Sequence, residues 1–226
     1  VMAGDANASV FMGQAGDDRF EPGAGTDRIV GGGGQDTVII RGQRSDYQLV
    51  QRPVFDDASQ RTASGWAVNE KNGGNDNALL GVERVLFSDS AVALDLEAVP
   101  GATYRLYKAS FDRPPDPTGL GYWIAQLEGG LSTVDAAARF IDSAEFRGLY
   151  GEQPADDVFV ETLYRNILDR DSDSAGLDWW VNELGSGGMS RPEVLARFSD
   201  SAENRENVEP LIASGIAYDP WDSGIA

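Results

Sequence analysis

The sequence predicts a multidomain chain with β structure first and α structure after it. The β part is a short parallel β-roll with a small antiparallel β cap, and an all-α domain of two internal repeats follows. Three observations support this order: consecutive nine-residue units over residues 13–39, strand-like alternation to about residue 96, and a helical pattern that recurs with an offset of 57 residues. The expected boundaries are 1–48 for the roll, 49–100 for the cap, 101–212 for the helical domain (repeats at about 104–150 and 157–207) and 213–226 for a tail.

An aspartate and an apolar residue recur at fixed positions of the nine-residue units. The aspartates are Asp18, Asp27 and Asp36, and the apolar residues two places later are Phe20, Ile29 and Val38. A degenerate unit at residues 4–12 precedes them, with Ser9 at the aspartate position. Each unit would form a tight turn, where glycine permits positive φ, and then a short strand with one inward apolar residue. A glycine-rich linker is the alternative, and three aspartates in register argue against it.

The turns are predicted to bind a hard cation. Successive turns fall on alternate sides, so Asp18 would face Asp36 with backbone carbonyls between them. Carboxylate and carbonyl oxygens form the kind of all-oxygen cage that calcium prefers. The pattern therefore predicts calcium nonapeptide repeats.

These repeats resemble the repeats-in-toxin (RTX) family of secreted bacterial proteins. The resemblance implies that one turn supplies two carbonyls and its aspartate, and that the facing turn does the same. For the better-formed site the ligands would be Gln14, Gly16, Asp18, Gly31, Gly33 and Asp36. A second, weaker site would use Asp5, Asn7, Pro22, Ala24 and Asp27, with Ser9 in place of a carboxylate and Pro22 in place of a glycine.

The composition excludes several classes of function. A net charge of −19, from 37 acidic and 18 basic residues, argues against binding to nucleic acid or to an anionic membrane surface. The sequence has no cysteine and no histidine, so it contains no disulfide, thiolate nucleophile, zinc–histidine site or Ser-His-Asp triad. The sequence contains no run of 18 apolar residues, which is the length that would predict a membrane-spanning helix.

The cap is predicted from alternating apolar residues. Tyr47 and Leu49 indicate one strand, Trp66 and Val68 a second, and residues 78–96 a hairpin. A solenoid end needs such a cap because it otherwise exposes strand edges and core. Three aspartates in this region are either additional calcium ligands or ordinary turn residues: Asp46, Asp76 and Asp89.

The helical domain is predicted from a doubled pattern. Residues 106–130 align with 163–187, so that Tyr107 matches Tyr164, Asp116 matches Asp173 and Trp123 matches Trp180. Helix N-caps are expected at Asp116, Ser132 and Ser190. Leu177, Trp180, Val181 and Leu184 have core spacing. The doubled pattern resembles the family of domain of unknown function 4214, a helical module common in secreted RTX-type proteins.

Two further features of the helical domain suggest binding. Tyr122 and Trp179 are equivalent residues about 100° from the apolar stripes, and with Asp178 they are candidates for stacking on and hydrogen bonding to a sugar. The alternative is that both rings pack between the two repeats. Asp169, Asp171 and Asp173 are spaced like calcium ligands, but the glycine comes too late for a helix–loop–helix calcium site, so a capped turn between helices is the preferred interpretation.

The sequence therefore predicts a non-catalytic, calcium-binding module of a type I secreted extracellular protein. We expect an adhesion role, with a glycan or a cell-surface or matrix component as partner, and no nucleic acid or membrane insertion. The alternatives are an accessory segment of a secreted protease or polysaccharide-modifying enzyme, and a structural element of a surface layer. We expect the chain to be the C-terminal piece of a longer protein, with residues 214–226 as an export signal or a disordered tail.

Overall fold

A computed structural model describes residues 1–56 and 59–221, which form two units. The β unit contains residues 1–96 and 213–220, and the α unit contains residues 97–212 together with residue 221. The β-strands are β1 (Met2–Ala3), β2 (Val10–Met12), β3 (Arg19–Glu21), β4 (Arg28–Val30), β5 (Thr37–Ile39), β6 (Tyr47–Asp56), β7 (Arg61–Glu70), β8 (Asp76–Leu80), β9 (Arg84–Leu86), β10 (Ala91–Ala93) and β11 (Ile216–Tyr218).

The short strands of the β unit pair in parallel with a spacing of two nine-residue units. Phe20 in β3 is level with Val38 in β5, and Phe11 in β2 is level with Ile29 in β4. Successive units therefore alternate between two sheets, ordered β1-β3-β5-β9-β10-β11 and β2-β4-β8-β7-β6. Alternate side chains of each short strand point inward, so the inward apolar residues of both sheets pack together in one hydrophobic cluster.

The strands beyond residue 75 differ from the predicted antiparallel cap. β8 pairs in parallel with β4, and β9 pairs in parallel with β5, so both extend the ladders of the nine-residue units. Each also has an antiparallel neighbour: β8 pairs with β7 of the long β6–β7 hairpin, and β9 pairs with β10. β11, from the predicted tail, then pairs with β10. Residues 222–226 of that tail lie outside the described residues.

Eight helices form the described part of the α unit. They are α1 (Val99–Phe111), α2 (Pro117–Glu128), α3 (Thr133–Ile141), α4 (Ala144–Tyr150), α5 (Asp156–Leu168), α6 (Ser174–Ser186), α7 (Arg191–Ser199) and α8 (Ala202–Ile212). The order β then α is as predicted. The first stretch of the β unit ends at residue 96 and α1 begins at Val99, so the change from β to α lies within a few residues of the expected boundary at 100.

The predicted helix caps are confirmed. The Asp116 carboxylate accepts a hydrogen bond from the Gly119 N–H at 2.7 Å, and the Ser132 hydroxyl accepts one from the Asp135 N–H at 3.0 Å. Ser190 and Glu193 form a capping box at the start of α7. These bonds satisfy N–H groups that a helix start leaves without intrahelical partners.

Helices α1 to α4 of the first repeat correspond to α5 to α8 of the second, and a set of side-chain contacts occurs in both repeats. The Arg113 guanidinium lies 5.1 Å from the Tyr107 ring centroid and bonds Glu145. At the equivalent positions Arg170 lies 4.9 Å from the ring centroid of Tyr164 and bonds Glu203. The same local packing therefore recurs in both repeats.

The apolar stripe of α6 is less buried than its spacing predicts. Its four residues pack against the core cluster but remain only partly buried: Leu177, Trp180, Val181 and Leu184. In the first repeat Leu120 and Ile124 are fully buried. Among the described residues, no helix combines the length and apolar character needed to cross a membrane.

Candidate functional site

The turns between the short strands stack in two rows. The first turn row contains residues 13–18, 31–36 and 81–83, and the second contains residues 4–9, 22–27 and 72–77. Within the first row the Gly16 N–H donates to the Gly33 carbonyl at 2.7 Å, and the Gly33 N–H donates to the Gln14 carbonyl at 2.8 Å. A Cβ on Gly31 would lie 1.9 Å from the Gly81 carbonyl oxygen, so this position requires glycine.

Asp36 is the most enclosed carboxylate of the first turn row, with an exposed fraction of 0%. Its Oδ1 accepts a hydrogen bond from the Asp18 N–H at 2.8 Å. Its Oδ2 is buried and has no hydrogen-bond partner in the described residues. Burial raises the pKa of Asp36, and the negative charge of Asp18 raises it further, while the bond from the Asp18 N–H opposes the shift.

Asp27 occupies the same position in the second turn row, with an exposed fraction of 1%. Its Oδ1 accepts from the Ser9 N–H at 2.8 Å, and its Oδ2 again has no hydrogen-bond partner in the described part of the chain. Burial raises the pKa of Asp27, and the negative charge of Asp5 adds to the shift. Each turn row therefore holds one buried carboxylate oxygen that lacks a partner.

The structure brings the predicted ligands of each site into facing turns. The residues of 14–18 lie beside those of 31–36, and Asp5 lies beside Ala24, whose N–H donates to the Asp5 carbonyl at 3.0 Å. The Asp5 carboxylate is held by the backbone and side-chain N–H groups of Asn7. The described residues contain no cluster of three or more His, Cys, Asp or Glu side chains able to hold a metal. The predicted donor sets instead consist mainly of carbonyls.

Two residues of the turn rows were missed in the sequence. Asn77 Oδ1 accepts from the Asp27 N–H at 3.1 Å, and Glu83 Oε2 accepts from the Asp36 N–H at 2.7 Å. Both therefore continue a series of hydrogen bonds. In this series the side-chain oxygen of each carboxylate or amide accepts from the backbone N–H of the equivalent residue in the preceding turn of the same turn row. The sequence feature that could have identified them is the apolar residue two places later, which is Leu79 for Asn77 and Val85 for Glu83.

The other candidate aspartates have local partners. Asp76 pairs with Arg52 at 3.1 Å, and Asp89 accepts a hydrogen bond from the Arg44 N–H at 2.9 Å. The Asp46 carbonyl accepts from the Lys71 N–H. In the α unit Asp173 caps α6 and Asp171 pairs with Arg165. Asp169 ends α5 in the left-handed conformation, so this trio forms a capped turn between helices.

A cavity of about 660 Å³ opens in the α unit beside Trp179. The Trp179 side chain is 47% exposed, and its ring lies edge-to-face with Trp180 at 4.6 Å. Tyr122 does not line this cavity, because its ring is half-buried between Trp123 and Trp221. Asp178 is exposed and also lies outside the lining. Of the three predicted sugar-binding residues, only Trp179 borders the cavity.

Residues 137–208, from within α3 to within α8, match the family described as "Domain of unknown function (DUF4214)". This match supports the resemblance noted for the helical part. It covers about a third of the chain and does not extend to the nine-residue units. No curated protein matches this chain.

Proposed function

We propose that this chain is a non-catalytic calcium-binding module of a type I secreted extracellular protein. The observation that carries the proposal is the pair of buried carboxylate oxygens without partners, Oδ2 of Asp27 and Oδ2 of Asp36. A carboxylate removed from water without compensating partners is costly in free energy. A bound divalent cation would supply the compensation at both places.

The donor chemistry supports calcium over other metals. The facing turns offer carboxylate and carbonyl oxygens, and neither histidine nor cysteine exists in the chain. Calcium accepts six to eight such oxygen ligands in flexible geometry. In the first turn row the ligands would be Gln14, Gly16, Asp18, Gly31, Gly33 and Asp36. In the second they would be Asp5, Asn7, Pro22, Ala24 and Asp27. When bound, calcium supplies positive charge and stabilises the folded β unit; no reaction step is assigned to it.

Calcium titration of the purified chain tests the proposal. We expect calorimetry on the metal-stripped protein to give a Kd of about 10⁻⁴–10⁻³ M, the range of extracellular calcium modules. Asp36→Ala should abolish binding at the first turn row. Asp46→Ala is the matched control, because Asp46 is an exposed turn residue, and should leave the titration unchanged. An absence of calcium binding by the folded wild-type chain would refute the proposal.

The role of the module is proposed to be adhesion through a glycan or surface component. The exposed Trp179 beside a 660 Å³ cavity favours this role over the two alternatives. A surface-layer element should assemble into large particles when calcium is added, which light scattering measures. An accessory segment of a secreted enzyme should leave the chain monodisperse, and in the case of a protease it should also show no affinity for any glycan.

A further inference from the structure

The two repeats of the α unit contain one filled and one open version of the same depression. In the filled version the Arg191 guanidinium lies 5.1 Å from the ring centroid of Phe159. It also donates to the Asp156 carboxylate at 2.7 Å and to the Pro154 carbonyl at 2.5 Å. The cavity that remains beside these residues measures about 270 Å³.

The open version has small residues at the corresponding places. The duplication equates Phe159 with Ala102 and Arg191 with Thr133, and both of these border the larger cavity of about 660 Å³. Replacement of a phenyl ring and an arginine side chain by the smaller side chains of alanine and threonine contributes to the greater volume. The size falls in the range of 300–1,000 Å³ that is usual for small-molecule sites.

The walls of the open depression combine aromatic and polar groups. Trp180 packs against the core residue Phe198 at 5.0 Å, and the neighbouring Trp179 is left half exposed. Arg197 lines the same cavity as an exposed residue, and its positive charge acts on Glu193 one helical turn earlier. The two lining carboxylates already have partners, since Glu193 caps α7 and Asp200 bonds Arg105 and Arg205.

We propose that this open depression binds a neutral oligosaccharide. A pyranose ring lies against the Trp179 face, because its C–H groups are attracted by the negative face of an aromatic ring. The Arg197 guanidinium donates hydrogen bonds to sugar hydroxyls. This inference rests on the extracellular binding role proposed above, and it does not depend on calcium.

The charges of the site favour a neutral sugar over an anionic one. Glu193 and Arg197 are lining charges of opposite sign, Asp200 is already paired with Arg105 and Arg205, and the whole chain carries a net charge of −19. Anionic polysaccharides would be repelled at low ionic strength. A cationic group placed against Arg197 would meet a like charge.

The test is a glycan array followed by calorimetry with the full chain in calcium. The probes are cellotetraose, maltotetraose, mannotetraose and chitotetraose, with oligomers of alginate and polygalacturonate as acidic probes. We expect binding of at least one neutral probe, and a loss of tenfold or more in affinity for Trp179→Ala and for Arg197→Gln. Arg139→Gln is the matched control, because Arg139 is exposed at the equivalent position of α3 and borders none of the cavities described here.

A second variant fills the depression instead of removing contacts. Ala102→Phe combined with Thr133→Arg introduces the two large side chains of the filled version, with Val99 at the position equivalent to Asp156, and we expect it to abolish sugar binding; circular dichroism checks that the variant is folded. The inference is overturned if no neutral probe binds at millimolar concentration or if acidic probes bind more tightly. It is also overturned if Trp179→Ala or the filled variant binds as the wild type does.

A repeat in chelator separates this inference from the calcium proposal. Because the lining residues all belong to the α unit, sugar affinity should be unchanged without calcium. Retained sugar binding in a chain that binds no calcium would refute only the calcium proposal. Calcium binding without affinity for any sugar would refute the inference drawn here and the glycan part of the proposed adhesion role, and it would leave the calcium proposal standing.

Discussion

At the scale of single residues, Asp36 and Asn77 occupy equivalent positions but differ in charge. Asp36 Oδ1 accepts the N–H of Asp18, and Asn77 Oδ1 accepts the N–H of Asp27. A neutral amide therefore also makes this hydrogen bond, at 3.1 Å compared with 2.8 Å for the carboxylate. The turn itself does not need the negative charge of Asp36, and we therefore propose that this charge binds a cation.

We expect Asp36→Asn to have opposite effects with and without calcium. In chelator the substitution removes a buried charge and keeps the Oδ1 acceptor, so the free energy of unfolding should rise by about 1 kcal/mol. In millimolar calcium the variant should lose most of the stabilisation that calcium gives to the wild type. Urea unfolding in the two buffers measures both quantities.

The control for this prediction is Asp46→Asn, which changes an exposed charge in a turn. It should leave the unfolding free energy within about 0.5 kcal/mol of the wild type in both buffers. If Asp36→Asn retains the full calcium-dependent gain, Asp36 is not a ligand.

At the scale of elements, the equivalent N-caps of α2 and α6 differ in their side-chain contacts. Asp116 and Asp173 each accept a hydrogen bond from a glycine N–H in the first turn. Asp116 also accepts from the hydroxyl of Tyr107 at 2.8 Å. We expect Asp173→Ala to cost about 1 kcal/mol of stability, the usual value for an N-cap. Asp116→Ala should cost more, because it also takes an acceptor from the buried Tyr107 hydroxyl.

The cost of Asp116→Ala should depend on pH. The Gly119 N–H, followed by the Tyr107 hydroxyl, holds the pKa of Asp116 below its ordinary value of 3.8. A lowered folded-state pKa means that the stabilisation is present above 3.8 and is lost as the pH falls through the folded value. The stability difference between wild type and variant should therefore shrink below pH 3.8. A difference that stays constant in acid-range denaturant titrations would contradict this assignment.

The sequence indicated the nine-residue units and the helical repeats because both are periodic over many residues. It did not reveal that β8 and β9 extend the parallel ladders. The long hairpin of β6 and β7 interrupts the repeat, and the turn before Val85 is shortened to residues 81–83, so the period is lost. β11 was missed for another reason: a three-residue strand shows no periodicity, and its pairing with β10 joins residues far apart in the chain.

The role of β11 can be tested at Ile216. This side chain is 2% exposed, although it lies in the stretch expected to be a tail. We expect Ile216→Ala to lower the stability of the β unit by about 2–5 kcal/mol, as large-to-small changes in cores do. Leu211→Ala is the control, because Leu211 is 51% exposed and should cost little. Equal denaturation midpoints for the two variants would show that β11 does not support the sheet.

At the scale of the whole molecule, the two units have separate hydrophobic clusters. One cluster contains residues of β2 to β10, and the other contains residues of α1 to α7. All the proposed calcium ligands belong to the β unit. A cation bound there should stabilise the β unit in proportion to its occupancy and leave the intrinsic stability of the helices unchanged.

We therefore expect chelator to change amide hydrogen exchange in one unit only. Opposed carboxylates repel each other without calcium, so protection should fall over residues 2–39. The loss should extend to β8, β9 and β11, because continuous ladders connect these strands to the turn rows. Protection in residues 99–212 should stay the same. Mass spectrometry of peptides with and without chelator measures this, with magnesium in place of calcium as the control for ionic effects. A uniform loss over both units, or no loss at all, would contradict a calcium-dependent β unit. A loss of protection confined to residues 2–39 would show instead that β8 and β9 keep their structure without the nine-residue units that precede them.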